Sequence, residues 1–198
     1  MHTAKLLPLL CLAPAAMADP YAALTNGVCE IDLNNVIFSK CDAYGVTLGA
    51  DYAPLSGIEL RYTNETANID EINGARRAGG TYDRNSVSAY LVRAFDTGWA
   101  IEPDFAIGAG VSDISYRFEG PADGRKDFIV TGDGDNTASF WAVEAGVSLP
   151  VSDVATLRVS ADYLQHGDQV FTSNVGGPDG FQGKPRTYSV SATFKVGF

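Results

Sequence analysis

The chain has 198 residues, 45% of them hydrophobic, and a formal net charge of −10 at pH 7. Such an acidic chain is unsuited to binding nucleic acid and to docking on anionic lipid by charge. Beyond the N-terminal segment no apolar stretch approaches the roughly 18 residues of a transmembrane helix, and the length suits one domain.

The first 18 residues are typical of a secretory signal peptide. Lys5 precedes an apolar run, and Ala16 and Ala18 form the small-residue pattern of a cleavage site. We therefore expect residues 1–18 to be removed and residues 19–198 to form a single domain. Cleavage removes one lysine and no acid, which changes the net charge from −10 to −11.

Short segments in which apolar and small or polar residues alternate predict an all-β protein. Tight turns separate some of these segments, and long polar stretches, predicted to be loops, separate the others. Seven strands are predicted in this way: residues 43–52, 56–64, 85–96, 104–118, 137–149, 154–165 and 186–198. The predicted loops are residues 30–40, 65–84, 119–136 and 166–185. Seven is an odd number, and an antiparallel barrel that pairs its first strand with its last needs an even number of strands. One more strand is therefore expected within residues 19–40.

The strand at residues 104–118 changes phase along its length. Phe105 and Val111 lie on one parity, whereas Ile114 and Tyr116 lie on the other. This shift predicts a β-bulge near residues 112–113.

The last predicted strand, residues 186–198, has an unbroken apolar face and ends in an aromatic residue. Its apolar face carries Tyr188, Val190, Ala192, Phe194, Val196 and Phe198. This strand resembles the closing strand of bacterial outer-membrane barrels, and the chain from residue 19 onward resembles the eight-stranded OmpA, OmpX and opacity-protein type.

The resemblance implies an eight-stranded, antiparallel, up-and-down transmembrane β-barrel with short periplasmic turns and long outer loops. It also implies a bacterial outer-membrane location and a monomer. The implied partners are outer-membrane lipid, lipopolysaccharide and, through the C-terminal strand, the barrel-assembly machinery.

The polar parity favours this barrel over a secreted, lipocalin-like barrel with an apolar interior. A strand face exposed to water is expected to be rich in Lys, Glu and Gln, but the polar parity of these strands carries mostly small residues. Gly45, Thr47, Gly49, Ser189 and Ser191 are typical of it, and such residues suit the narrow interior of an eight-stranded barrel.

Seven charged residues are assigned to the inward parity. Opposite charges inside a narrow lumen are expected to pair, because an unpaired buried charge is costly. They predict a charge network that plugs the lumen, or a gate with at most a narrow ion path; an open porin channel needs about 16 strands. The predicted network is Glu59, Arg61, Arg93, Glu144, Arg158, Asp162 and Lys195.

A secreted chain favours a disulfide between Cys29 and Cys41. A strand running through residues 29–38 would separate the two cysteines by roughly 25 Å, at about 3.3 Å per residue, which no disulfide tolerates. We therefore expect the first strand to end near Cys29 and the bond to close the base of the loop at residues 30–40. Free thiols and a bond between chains are the alternatives.

We therefore expect a non-enzymatic surface protein with no cofactor and no metal. Its outer loops would serve adhesion, surface interaction or envelope integrity. The competing enzyme hypothesis is a lipid A-modifying site at the outer rim. It depends on His166, with Asp168, Ser160 and Ser173 near it in sequence. A nucleophile, a base and an orienting acid must be in contact for that chemistry.

Overall fold

The computed structural model describes residues 19–33, 36–53, 56–72, 79–122, 125–171 and 181–198. The predicted signal peptide lies outside these residues. Within them, no helix is long and apolar enough to cross a membrane.

Eight of the strands close into an antiparallel barrel, as predicted. In chain order the elements are β1 (Asp19–Asp32), β2 (Val36–Ala53), β3 (Ser56–Ile72), β4 (Gly79–Ala94), β5 (Glu102–Ala122), β6 (Arg125–Ser152), β7 (Ala155–His166), β8 (Gln169–Phe171), β9 (Phe181–Gly183) and β10 (Arg186–Gly197). The barrel order is β1-β10-β7-β6-β5-β4-β3-β2, and β8 and β9 form a separate two-stranded sheet. The terminal strands β1 and β10 close the barrel in antiparallel register from Tyr21–Gly197 to Asp32–Arg186.

The barrel turns its apolar face outward. On β10, Val190 is 53% exposed and Phe194 is 48% exposed, whereas Ser191 and Thr193 face inward and are buried. The same alternation on the other strands forms a continuous outward-facing band, here called the apolar belt. An apolar surface of this extent needs an apolar solvent, which excludes the lipocalin-like interpretation.

The apolar belt has sharp limits. Tyr44, Tyr62 and Tyr188 are exposed at one edge, and Trp99 and Phe198 are exposed at the end that carries the short turns, here called the turn end. Beyond the tyrosine edge, towards the hairpin end, the outward positions become polar on every strand: Glu30, Asp42, Asn64, Asn85, Asp113, Ser139, Gln165 and Arg186.

The strands continue far past the apolar belt, and this corrects three of the predicted loops. β3 runs to Ile72 and β4 begins at Gly79, while β5 and β6 pair through most of residues 119–136. β1 extends three residues beyond Cys29, to Asp32, and β2 begins at Val36. The fourth predicted loop contains β8 and β9, and its residues 172–180 lie outside the described part of the chain.

The predicted β-bulge at residues 112–113 is wrong. β5 pairs with β4 in unbroken register, and Ile114 and Tyr116 continue the inward parity of Ser112. The surroundings change rather than the phase. Along the apolar belt the outside is apolar and the inside is polar, whereas nearer the hairpin end the outside is polar and the inside is apolar.

Candidate functional site

The lumen contains a cavity of about 870 Å³ that reaches from the turn end towards the hairpin end. Its lining begins with Asp19, Asp51 and Asp153 and ends at the level of Glu65 and Arg84. Inward Gly, Ser and Thr residues leave this space because their side chains are short. The candidate site is the set of charged residues that project into it.

The centre of the lumen holds three carboxylates and two guanidinium groups in one chain of contacts, here called the central network. Arg61 donates two hydrogen bonds to Glu144, at 2.7 and 3.0 Å, and its Nε donates to Glu59 at 2.6 Å. Arg158 also pairs with Glu144, and its Nε donates to Asp104 at 2.9 Å. Each carboxylate therefore faces at least one guanidinium, as buried charges require.

Aromatic rings and a second ion pair surround the central network. Tyr21 donates its hydroxyl hydrogen to Glu59 at 2.5 Å, and the Arg61 guanidinium lies 3.9 Å from the centre of the Tyr90 ring. Lys195 lies 3.5 Å from the centre of the Tyr21 ring and pairs with Asp51 at 2.7 Å. These contacts hold long charged side chains against the barrel wall.

The structure brings four of the seven predicted lumen charges into the central network: Glu59, Arg61, Glu144 and Arg158. Lys195 projects into the lumen but pairs with Asp51, and Asp162 accepts a hydrogen bond from Ser189. The assignment of Arg93 is wrong, because it is exposed on the outward parity of β4 beside Leu91. Whether the network acts as a plug stays a prediction.

Asp104 is a network member that the sequence interpretation missed. It immediately precedes Phe105, whose outward parity places Asp104 inward, and only 6% of its surface is exposed. The alternation that identified Phe105 was therefore the signal for Asp104 as well.

A second polar group crosses the lumen at its hairpin end and is here called the polar layer. Arg84, which is fully buried, donates to Glu65 on β3, to His166 on β7 and, at 3.2 Å, to Thr187 on β10. One guanidinium thus links four strands. Arg84 and Glu65 were missed because they lie in a segment predicted to be a loop.

His166 does not lie in a solvent-accessible catalytic arrangement. It is 2% exposed, and its ring packs 5.4 Å from that of Phe140. Asp168 is exposed and pairs with Lys184 at 3.6 Å, while the Ser160 hydroxyl bonds to that of Ser191 at 3.1 Å. Ser173 lies outside the described residues.

The surroundings of His166 keep its imidazole neutral. The residue lies beyond the apolar belt, next to the outward-facing Gln165. Burial first, and then the Arg84 guanidinium, lower the pKa of His166 to about 3. Both effects disfavour the charged form.

The hairpin end of the lumen is filled by an outer apolar cluster. Its buried members are Ile31, Leu33, Cys41, Ala67, Ile69, Tyr82, Ile114 and Tyr116. Cys29 and Cys41 are directly opposed on β1 and β2 and form the predicted disulfide, with their Cα atoms 4.8 Å apart. The bond lies against this cluster and within continuing strands, and not at the base of a loop.

Comparison with known proteins gives one family and several related folds. A family model described as "Outer membrane protein beta-barrel domain" matches residues 3–198. Neisserial surface protein A is 19% identical with a TM-score of 0.59, covering 91% of this chain and 99% of that chain. The outer membrane protein OprG of Pseudomonas aeruginosa is 15% identical with a TM-score of 0.58, covering 92% and 97%.

A third solved structure, the outer membrane protease OmpT of Escherichia coli, is 8% identical with a TM-score of 0.52, covering 91% of this chain and 96% of that chain. No curated protein sequence matches the chain significantly. At these identities the solved structures establish a shared fold.

Proposed function

Because the chain belongs to the outer membrane protein β-barrel domain family, we propose that it is a closed, non-enzymatic barrel that presents long β-hairpins on the bacterial surface. The protein lies in the bacterial outer membrane. In such barrels the short turns face the periplasm and the long connections face outward, so the hairpin end is the extracellular end.

The outer apolar cluster is the observation that carries the closed state. The cavity in the lumen reaches Glu65 and Arg84, and no member of the outer apolar cluster lines it. Apolar side chains packed at native density leave no path for a hydrated ion. The lumen is therefore a pocket that opens on the periplasmic side and ends below the cell surface.

The geometry around His166 supports a non-enzymatic role. Its Nε2 accepts from Arg84, and neither Asp168 nor Ser160 contacts it. A buried, neutral imidazole that contacts neither of the described candidates, Asp168 and Ser160, does not form a hydrolytic site with them. OmpT is a protease in a similar fold, so these contacts, and not the fold, support a non-enzymatic role.

The outward faces of the hairpins supply the proposed contact surface. Among the residues whose burial is described there, the exposed acidic ones include Glu30, Asp32, Asp42, Asp70, Asp113, Glu119, Asp135 and Asp168, whereas the exposed basic ones are Arg117, Lys184 and Arg186. Complementary charge steers association, so this surface favours partners that present positive charge.

Planar-bilayer recording tests the closed barrel. We expect no current from the wild type or from Glu144→Gln and Arg158→Gln variants, because the outer apolar cluster remains intact in each. Steady single-channel current from the wild type would contradict the proposal.

Mass spectrometry of lipid A from cells with and without the protein tests the enzyme alternative. An unchanged profile is expected, with His166→Asn as the matched variant. A modification that requires His166 would overturn the non-enzymatic assignment.

Adherence of the same cells to basic protein surfaces tests the contact role, and we expect a variant with lysine at Asp42, Asp113 and Asp135 to adhere less.

A further inference from the structure

Five buried polar atoms at the polar layer lack a hydrogen-bond partner. They are Glu65 Oε2, Tyr82 OH, Arg84 Nε, Ser112 Oγ and His166 Nδ1. In the part of the chain that the structure describes, no other buried side-chain nitrogen or oxygen atom lacks a hydrogen-bond partner. Such atoms are uncommon in native proteins, so their occurrence in one place requires an explanation.

These residues are neighbours in the strand register. Glu65 on β3 is directly opposite Arg84 on β4, and Tyr82 lies two residues before Arg84 on the same inward face. Ser112 on β5 opposes Ser86, which is two residues beyond Arg84. His166 approaches from β7 and contacts Arg84 directly.

Hydrogen bonding determines what each free atom offers. Arg84 donates to His166 Nε2, so the neutral ring carries its hydrogen on Nδ1 and presents a donor there. Arg84 Nε is also a donor, Glu65 Oε2 is an acceptor, and the hydroxyls of Tyr82 and Ser112 are both. The set is mixed, which suits a ligand that both donates and accepts.

Charge balance disfavours an ion as the occupant. Glu65 already neutralises Arg84, and the His166 ring is neutral. A buried anion would face the free Glu65 oxygen without a compensating charge, and a buried cation would face the Arg84 guanidinium. Water meets every donor and acceptor at a small entropic cost.

We propose that the polar layer encloses a chamber of ordered water at the blind end of the lumen. Glu65 and Arg84 line the inner end of the cavity, which gives water a route from the turn end, and the outer apolar cluster bounds the chamber on the other side. The waters bridge side chains on β3, β4, β5 and β7. They therefore complete the hydrogen bonding that Arg84 begins.

Removing single hydroxyl groups distinguishes a chamber that contains ordered water from one that contains none. In a dry layer, Tyr82→Phe and Ser112→Ala each delete an unpaired buried hydroxyl and raise the urea midpoint of unfolding. In a hydrated layer both variants lose water-mediated hydrogen bonds, so we expect both midpoints to fall. Thr187→Val is the matched control, because its hydroxyl accepts from Arg84 at 3.2 Å and its loss lowers the midpoint in either case.

The measurement uses the full barrel folded into lipid vesicles. Midpoints of Tyr82→Phe and Ser112→Ala that stay equal to the wild-type value or rise would overturn the proposal. A crystal structure gives the independent reading. Water density within hydrogen-bond distance of Tyr82 OH and Ser112 Oγ is expected, whereas an empty layer, or an anomalous peak there after a bromide soak, would refute it.

Discussion

Replacing Arg61 with methionine tests the central network most directly. The substitution keeps an unbranched side chain of similar length and removes the guanidinium that joins Glu59 to Glu144. The network then changes from three carboxylates with two guanidiniums to three carboxylates with one. Arg158 remains in contact with Glu144, but among the described residues Glu59 keeps only the Tyr21 hydroxyl as a partner.

The magnitude follows from burial. Breaking a buried ion pair by removing one partner costs about 3–5 kcal/mol. The Arg61 side chain is 14% exposed and borders a cavity that water can enter, so we expect the lower end, about 3 kcal/mol. The double variant with Glu144→Gln removes both partners and should lose less than the sum of the single variants, by about 0.5–3 kcal/mol.

Equilibrium urea unfolding in lipid vesicles, monitored by tryptophan fluorescence, measures these losses. Arg186→Met is the matched control, since Arg186 pairs with Asp32 at 3.7 Å and both side chains are 52% exposed. An exposed pair of this kind contributes about 0–1 kcal/mol. Losses from Arg61→Met and Glu144→Gln that add fully, or an Arg61→Met loss no larger than that of Arg186→Met, would refute the reasoning.

Three further predictions use the same unfolding assay. Gly108→Ala would place a Cβ 2.6 Å from the Tyr90 ring and should cost about 1–3 kcal/mol, whereas the Cβ of Gly79→Ala meets no atom of the described residues within 4 Å and should leave the midpoint nearly unchanged. Replacing both cysteines of the β1–β2 disulfide with serine should cost about 2–4 kcal/mol, and reduction of the wild type should give the same loss. Lowering the pH tests His166, because its pKa falls from 6.5 to about 3 on folding, so its stabilising effect is complete above pH 6.5 and is lost as the pH falls towards 3. At pH 5 the wild type should have lost about 2 kcal/mol more than His166→Gln, and equal losses would contradict the neutral, Arg84-bound state.

The period-two pattern predicted the barrel and its orientation because lipid and a narrow lumen make opposite demands on alternate residues. Val190 and Phe194 needed an apolar solvent outside, and Ser191 and Thr193 fitted the space inside. That contrast is strong within the apolar belt, so the strands and most of the central network could be predicted there.

The hairpin end could not be predicted in the same way, because beyond the apolar belt the outer solvent is water. Ile114 faces inward there although Phe105 on the same strand faces outward. A pattern that changes sign resembles a bulge or a loop, so the predicted strands ended too early in β3 and β5 and began too late in β4. Glu65 and Arg84, the charged pair of the polar layer, were therefore not identified from the sequence.

Arg93 shows a different limit of the pattern. Its charge suggested an inward position, but it shares the parity of Leu91 and lies one residue before the end of β4. At the end of a strand a long arginine side chain can keep its stem on apolar surface and extend its charge to water. Side-chain type alone therefore misassigned a residue that its parity placed correctly.

The opening of the lumen at one end only determines which compartment its side chains sense. In the proposed orientation, water, protons and small ions reach Glu144 and Arg158 from the periplasm, while the medium outside the cell is separated from them by packed apolar side chains. The charged side chains inside this barrel would then be exposed to the pH and the ions of the periplasm, even though its hairpins are exposed to the medium outside the cell.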